Sequence, residues 1–197
     1  SCRESLLAWM DRFIFFADKV KLADISDQFA IFSVMGSQSD ALLTQLGGGD
    51  RVGQPHASHG VVQLGDCSVR VATGSGLALP GYTLLVPLDH APQVWTLLTA
   101  GDAVPLGETQ WEYLRVLQGR PVPGQELTDD YNPLEAGLWH TISFNKGCYI
   151  GQETIARLNT YKGVKQRLWG IQLSSPVEIR TVISIGEEKV GVVTSVD

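Results

Sequence analysis

Eight consecutive residues, Lys146-Gly147-Cys148-Tyr149-Ile150-Gly151-Gln152-Glu153, bring a thiol, an ammonium, an amide, a carboxylate and two glycines together. An apolar run at 142–144 leads in, and a helical pattern over 153–158 leads out. Gly147 and Gly151 allow the backbone to turn tightly or to approach another group. Cys148 stands just ahead of the expected helix start, where the helix terminus and a nearby Lys both favour thiolate over thiol. This pattern points to a reactive or ligand-contacting cysteine. The alternative is a buried cysteine packed on a tight turn, the commoner fate of a free thiol. Gln152 and Glu153 either orient the loop or fill the first helical turn. Tyr149 either anchors the loop by packing or stacks on a ligand.

A second candidate is Arg115, in Trp-Glu-Tyr-Leu-Arg-Val-Leu-Gln-Gly. At helical spacing it shares a stripe with Trp111 and Gln118 and interrupts the apolar pair Leu114 and Leu117. An Arg beside a core can fork onto a carboxylate or stack on a flat ring; otherwise its stem packs and its head stays in water. The remaining polar groups carry less. His56-x-x-His59 offers two metal ligands but lies in a Gly/Pro-rich loop with no Cys or acid pair beside it, so no metal site is expected. His90 and His140 are single. Asp129-Asp130 reads as a solvated loop ahead of a cap rather than an acid–base pair. No Walker loop, GxGxxG, CxxC or Ser–His–Asp cue is present in the sequence.

The elements that must position these groups follow from periodicity. Residues 3–16 predict a helix with one buried face, built on Leu6, Leu7, Met10, Phe13 and Ile14. Strands are expected at Val20–Leu22 and over 30–35, then a helix after Gly36 with Ser37 as its cap, ended by Gly47-Gly48-Gly49. Residues 61–64 and 67–73 read as strands; in the second, Cys67, Val69 and Val71 alternate with Ser68 and Arg70, which makes Cys67 a core residue. A strand over 82–86, a helix from Asp89 to Leu98, a strand over 103–106 and a helix opened by a Thr109–Glu112 capping box complete an antiparallel α+β arrangement. Residues 119–131 form a long Pro/Gly loop, the kind that is often functional. A second capping box is expected at Asn132-Pro133-Leu134-Glu135. From about Lys165 the pattern turns to short β segments, Leu168–Leu173, then 182–185, then 190–193, too few for a stable barrel.

Length and charge set outer bounds. The 197 residues suffice for one large domain or two small ones, and 44% hydrophobic with 18% charged residues is an ordinary globular composition. The net charge of −6 argues against a nucleic-acid partner. The three cysteines are widely spaced and odd in number, which fits a reducing compartment better than a disulfide scaffold. No apolar run approaches a membrane span, so no membrane partner is expected.

Lys-Gly-Cys-Tyr-x-Gly-Gln-Glu resembles the motif of the YgfZ family, which includes the organellar assembly factor called Iba in eukaryotes and shares its fold with the glycine-cleavage T-protein, an aminomethyltransferase. Glu126-Leu127-Thr128-Asp129-Asp130, Asn132–Leu138 and Val164–Leu168 extend the likeness, which is strong over 111–170 and weak before 110. The resemblance implies a folate-binding fold with a ferredoxin-like antiparallel subdomain over residues 1–162, lacking its N-terminal part, and an incomplete C-terminal β-barrel over 163–197. It implies tetrahydrofolate as cofactor, with Arg115 at the position that contacts it in T-proteins, and Cys148 as the functional thiol. It also implies iron–sulfur assembly or client proteins as partners. The sequence style is most similar to plant plastid members, so a chloroplast location is expected, with the mitochondrion or a bacterial cytoplasm as alternatives. Two departures count against aminomethyl transfer. Leu79 and Pro80 stand before Gly81, where T-proteins carry a carboxylate that helps to hold folate. The segment holding the T-protein catalytic Asp would lie ahead of residue 1, so no catalytic acid or base carries over. A one-carbon transferase and a folate-free interaction module therefore remain as alternatives to an iron–sulfur accessory protein.

Overall fold

The computed structural model describes residues 2–197, and its contacts divide the chain into two compact units, one ending at Leu106 and one running from Gly107 to Asp197. The boundary expected near 162/163 falls inside the second unit, between its last helix and its hairpin.

The first unit begins with α1 (Cys2–Asp11). Its apolar stripe is not buried: Leu6, Trp9 and Phe13 are about half exposed and Phe16 is fully exposed. The helix expected over 3–16 stops at Asp11, and Trp9 meets Phe13 edge to face at 5.0 Å. No strand forms at Val20–Leu22. The unit is organised instead by β1 (Phe29–Met35), β2 (His59–Leu64), β3 (Cys67–Thr73) and β4 (Gly81–Pro87), in the spatial order β1-β4-β3-β2 and antiparallel throughout. Between β1 and β2 lies α2 (Ser39–Gln45), and α3 (Ala91–Ala100) follows β4.

Alternation decides which face of the sheet is covered. Val62 and Leu64, Cys67, Val69 and Val71, and Tyr82, Leu84 and Val86 point to one side, where Leu42 and Leu43 of α2 and Val94 and Leu98 of α3 close over them. Cys67 is fully buried there. Burying a side chain of this size stabilises by about 1.5–3 kcal/mol, so this layer holds the unit together. Along the opposite face, Ile31 and Val61 are more than half exposed.

Two details position the far end of the sheet. Gly81 opens β4 at φ +153, and a Cβ there would lie 2.1 Å from the Val34 carbonyl oxygen, so only a glycine lets β4 sit this close to β1. The preceding loop is held by Ser75, a fully buried residue whose hydroxyl reaches the Leu77 and Leu79 carbonyls at 3.3 and 2.8 Å.

The second unit contains α4 (Glu108–Leu117), α5 (Gln152–Thr160) and the hairpin β5 (Val182–Ile185) and β6 (Glu188–Val192). The expected C-terminal β module is thus one two-stranded hairpin, and Leu168–Leu173, read as a strand, is irregular. Residues 103–106 are likewise irregular. Among the described residues of this unit, the buried apolar set is Leu134, Ala136, Ile155 and Val193, and it is joined by two charged residues, Arg115 and Glu126.

Caps divide in an instructive way. Asn132 accepts from the Leu134 and Glu135 amides at 3.0 and 3.1 Å, and Glu135 Oε2 accepts from the Asn132 amide at 3.0 Å, so the reciprocal box forms although only turns follow it. The box expected at Thr109–Glu112 does not form: α4 is capped by Gly107 without a side-chain bond, because Glu112 is taken by Arg115. Ser37 is also not a cap; Gln38 occupies that position of α2.

Candidate functional site

Arg115, in the second unit, is 2% exposed. Arg115 faces inward, and of the apolar pair that it interrupts Leu114 is half-buried while Leu117 is 61% exposed. Every nitrogen of the guanidinium is engaged. Nε donates to Glu112 Oε2 at 2.9 Å, and Nη2 donates to Glu112 Oε1 in a second, very short bond, giving a two-pronged pair across one helical turn. Nη1 donates to the Arg120 carbonyl at 3.1 Å and lies 3.6 Å from Glu126 Oε2. Nη2 also meets Gln125 Oε1 at 3.1 Å and Ser195 Oγ at 3.0 Å.

Glu126 is itself buried. Its Oε2 accepts from the Val122 amide at 3.1 Å, and its Oε1 lies 2.5 Å from Ser195 Oγ. The Ser195 hydroxyl also touches Gln125 Oε1; with one proton it donates to one of these two oxygens and accepts from Arg115. The long Pro/Gly loop thus supplies Gln125 and Glu126 to this cluster, and the C-terminal segment supplies Ser195. The hydrogen bonds from Arg115 hold the Glu112 carboxyl below its ordinary value, and the same bonds keep Arg115 charged beyond its own. Glu112, Glu126 and Ser195 were not singled out by sequence reasoning. The Arg115–Ser195 separation of 80 positions leaves no spacing to read, although Glu112, three residues before Arg115, is a legible helical pair.

The Lys146–Glu153 segment lies in the same unit as a turn leading into α5. Gly151 is its N-cap at φ +85, a left-handed conformation that favours glycine. The Tyr149 amide donates to Gln152 Oε1 at 3.0 Å, so Gln152 reaches back and ties the turn. Lys146 Nζ lies 4.9 Å from the centre of the half-buried Tyr149 ring, a cation–π contact. Cys148 is exposed, and so are Gly147 and Glu153. Here the thiol is presented to solvent on a turn fixed from both sides, not packed in a core.

The other sequence candidates are dispersed. Asp129 and Asp130 are exposed, and the Asp130 amide bonds Thr128 Oγ1 at 3.2 Å. His59 Nδ1 lies 3.0 Å from Arg70 Nη1, while the His56 ring packs over Gly74. Among the described residues no three His, Cys, Asp or Glu side chains gather as a metal site would require. No helix among them is long and apolar enough to cross a membrane.

Comparison with known proteins places the chain in a family. The chain is 45% identical to a chloroplastic protein of Arabidopsis thaliana that carries a transferase name, over 98% of this chain and 44% of that protein. It is 30% identical to an aminomethyltransferase of Synechococcus elongatus over 89% of this chain and 48% of that enzyme, and 27% identical to an aminomethyltransferase of Bacillus subtilis over 85% and 47%. The chain therefore spans about half the length of these relatives. The family model described as the GCVT N-terminal domain matches residues 1–146, a stretch that takes in the whole antiparallel sheet, Arg115 with its loop partners, and Lys146 at the start of the cysteine turn. With that span matched, the chain belongs to the family of GCVT N-terminal domains.

Proposed function

We propose that this chain is the tetrahydrofolate-binding portion of a plastid accessory protein for iron–sulfur cluster assembly or repair, with Cys148 as its working thiol. The observation that carries the reading is the cysteine turn. A solvent-facing thiol is held by Gln152 and by the Lys146–Tyr149 contact, on a chain otherwise related to folate-type transferases. Such a thiol is placed to exchange with a sulfur on an assembly or client protein. Arg115 is assigned to the acidic tail of the folate. Glu112 is the solvent-accessible partner of its guanidinium, with 44% of its side chain exposed, so a ligand carboxylate can take its place while Glu126 stays paired.

A one-carbon transferase is the second reading, and the aminomethyltransferase relatives favour it. Leu79 and Pro80 before Gly81 weigh against it, since neither offers a carboxylate to the ligand. Titrating tetrahydrofolate into the protein by calorimetry separates the readings. Binding in the micromolar range is expected, tightened several-fold in Glu112→Gln because the competing charge is gone. No heat in either form removes both folate readings and leaves a protein-interaction module. If folate binds, turnover of a methylene-folate selects the transferase. For the thiol, Cys148→Ser is expected to abolish cluster repair while leaving folding and folate binding unchanged. Full repair activity in that variant would sink the role of Cys148.

A further inference from the structure

Past the cysteine turn, α5 leads into a stretch of one charge sign. Between Glu153 and Glu178 the sequence holds no acidic residue, while Arg157, Lys162, Lys165 and Arg167 all fall there. All four are exposed, and among the described residues none of them joins an ion pair. Two large aromatic side chains stand among them in water: Tyr161 is 79% exposed and Trp169 76%. A helix C-terminus favours cations, which accounts for Arg157 and Lys162. It does not account for Lys165 and Arg167, which lie past the helix, nor for an uncovered Trp.

The stretch is displayed on a fixed support. The Lys162 amide donates to the Asn159 carbonyl at 3.4 Å and the Gly163 amide to the Leu158 carbonyl at 2.9 Å, the paired closure that ends a helix on a left-handed residue. Lys162 is that residue, at φ +51. Glycine is the usual occupant of such a position, and here it stands one residue later. A long charged side chain kept in a strained backbone conformation points to a use for that side chain. Downstream, the Leu168 amide donates to the Glu135 carbonyl at 2.9 Å, which ties the Lys165–Arg167 stretch to the cap at Asn132. The nine residues of α5 span about 13 Å. The Cys148 turn at its start and the basic residues at its end thus fall within a patch roughly 30 Å across, the width of a standard interface of about 800 Å² per partner.

We infer that the C-terminal end of α5, with Arg157, Lys162, Lys165 and Arg167 around Tyr161 and Trp169, is the docking surface for an acidic segment of the protein that exchanges sulfur with Cys148. The cations meet the partner's carboxylates, which speeds encounter and sets orientation. The two rings supply contact area of the kind that carries interface energy. A nucleic acid suits the surface less well. Its charge would run past this short stretch and over a chain whose net charge is −6, whereas an acidic protein segment confines its charge to the contact. The inference rests on the proposed thiol role of Cys148 and adds the chemistry of the partner.

The probe is a decaglutamate peptide, titrated into the 197-residue chain while backbone amide resonances are followed. Saturable shifts are expected over 157–169, weakened by added salt. Lys165→Glu with Arg167→Glu is expected to lower affinity at least about tenfold. Lys19→Glu with Lys21→Glu, the same change of charge in the first unit, is expected to lower it less than about twofold. Lys162→Gly suits the left-handed position, so it is expected to keep the thermal midpoint while binding several-fold more weakly. In a Cys2→Ser chain, the same peptide ending in a cysteine blocked as its 2-thiopyridyl disulfide tests the link to the thiol. The Cys148 thiolate attacks the peptide sulfur, a new S–S bond forms, and thiopyridone leaves with the displaced electron pair and a proton from water. Release at least about tenfold faster than from a decaserine analogue is expected. The titration needs neither thiol nor folate, so its failure leaves the role of Cys148 standing, whereas full repair activity in Cys148→Ser would remove that role while peptide binding persists. Shifts that do not saturate, equal affinity in Lys165→Glu with Arg167→Glu or in Lys162→Gly, decauridylate RNA bound as tightly as the peptide, or no gain in release rate would each overturn the assignment.

Discussion

Arg115→Ala is expected to destabilise the second unit by about 3–5 kcal/mol, the loss typical when one partner of a buried ion pair is removed. The reason lies in what stays behind. Glu112 can turn into water, but Glu126 is 4% exposed and would be left buried without its cationic partner. The Arg120 carbonyl, Gln125 and Ser195 would lose their donor at the same time. Hydrogen exchange of the α4 amides under increasing urea measures the effect. Adding Glu126→Gln to Arg115→Ala removes the stranded charge and should recover a substantial part of the loss. If the double variant is no better than the single one, charge burial is not the cause. The wild type carries the same dependence on pH. The folded-state value of Glu112 lies below its ordinary 4.5, so its contribution is complete above that value and is lost as pH falls through the folded-state value.

Gly81→Ala carries the second large effect, about 3–5 kcal/mol on the first unit, from a strained backbone and an overpacked contact together. The added Cβ would meet the Val34 carbonyl oxygen at 2.1 Å and the Met35 Cα at 2.9 Å, both backbone atoms of the neighbouring strand. No rotamer change relieves this; β1 and β4 must separate where Met35 pairs with Gly81. Gly147→Ala is the internal control, since a Cβ there meets nothing within 4 Å and φ is not left-handed. Thermal unfolding should shift strongly for the first variant and hardly at all for the second. Equal shifts would mean that the close strand approach is not what Gly81 provides.

These two residues mark where sequence reading succeeds and where it stops. The alternation of Cys67, Val69 and Val71 placed the core face of β3 because strand geometry forces neighbours to opposite sides. Asn132 and Glu135 announced their reciprocal cap because both partners lie within four residues. Arg115 shows the opposite. Periodicity left the Arg ambiguous between a buried fork and a packed stem with a solvated head; it is buried because Gln125, Glu126 and Ser195, distant in sequence, meet the guanidinium together with Glu112. The Thr109–Glu112 box failed for the same reason, as a two-pronged Arg is a stronger partner for Glu112 than one backbone amide. Residues 103–106 and Leu168–Leu173 have strand-like composition, but a strand needs a partner edge, and composition does not report one.

The sparse apolar interior of the second unit gives the protein two different responses to temperature. The heat-capacity change of unfolding scales with the apolar surface exposed. The first unit, with its continuous layer of aliphatic side chains, carries most of it, so its stability curve is a steep dome that falls on chilling as well as on heating. The second unit, with four buried apolar residues among those described, exposes little hydrocarbon and has a flatter curve. Near freezing, the sheet rather than the ion cluster is the part whose margin shrinks.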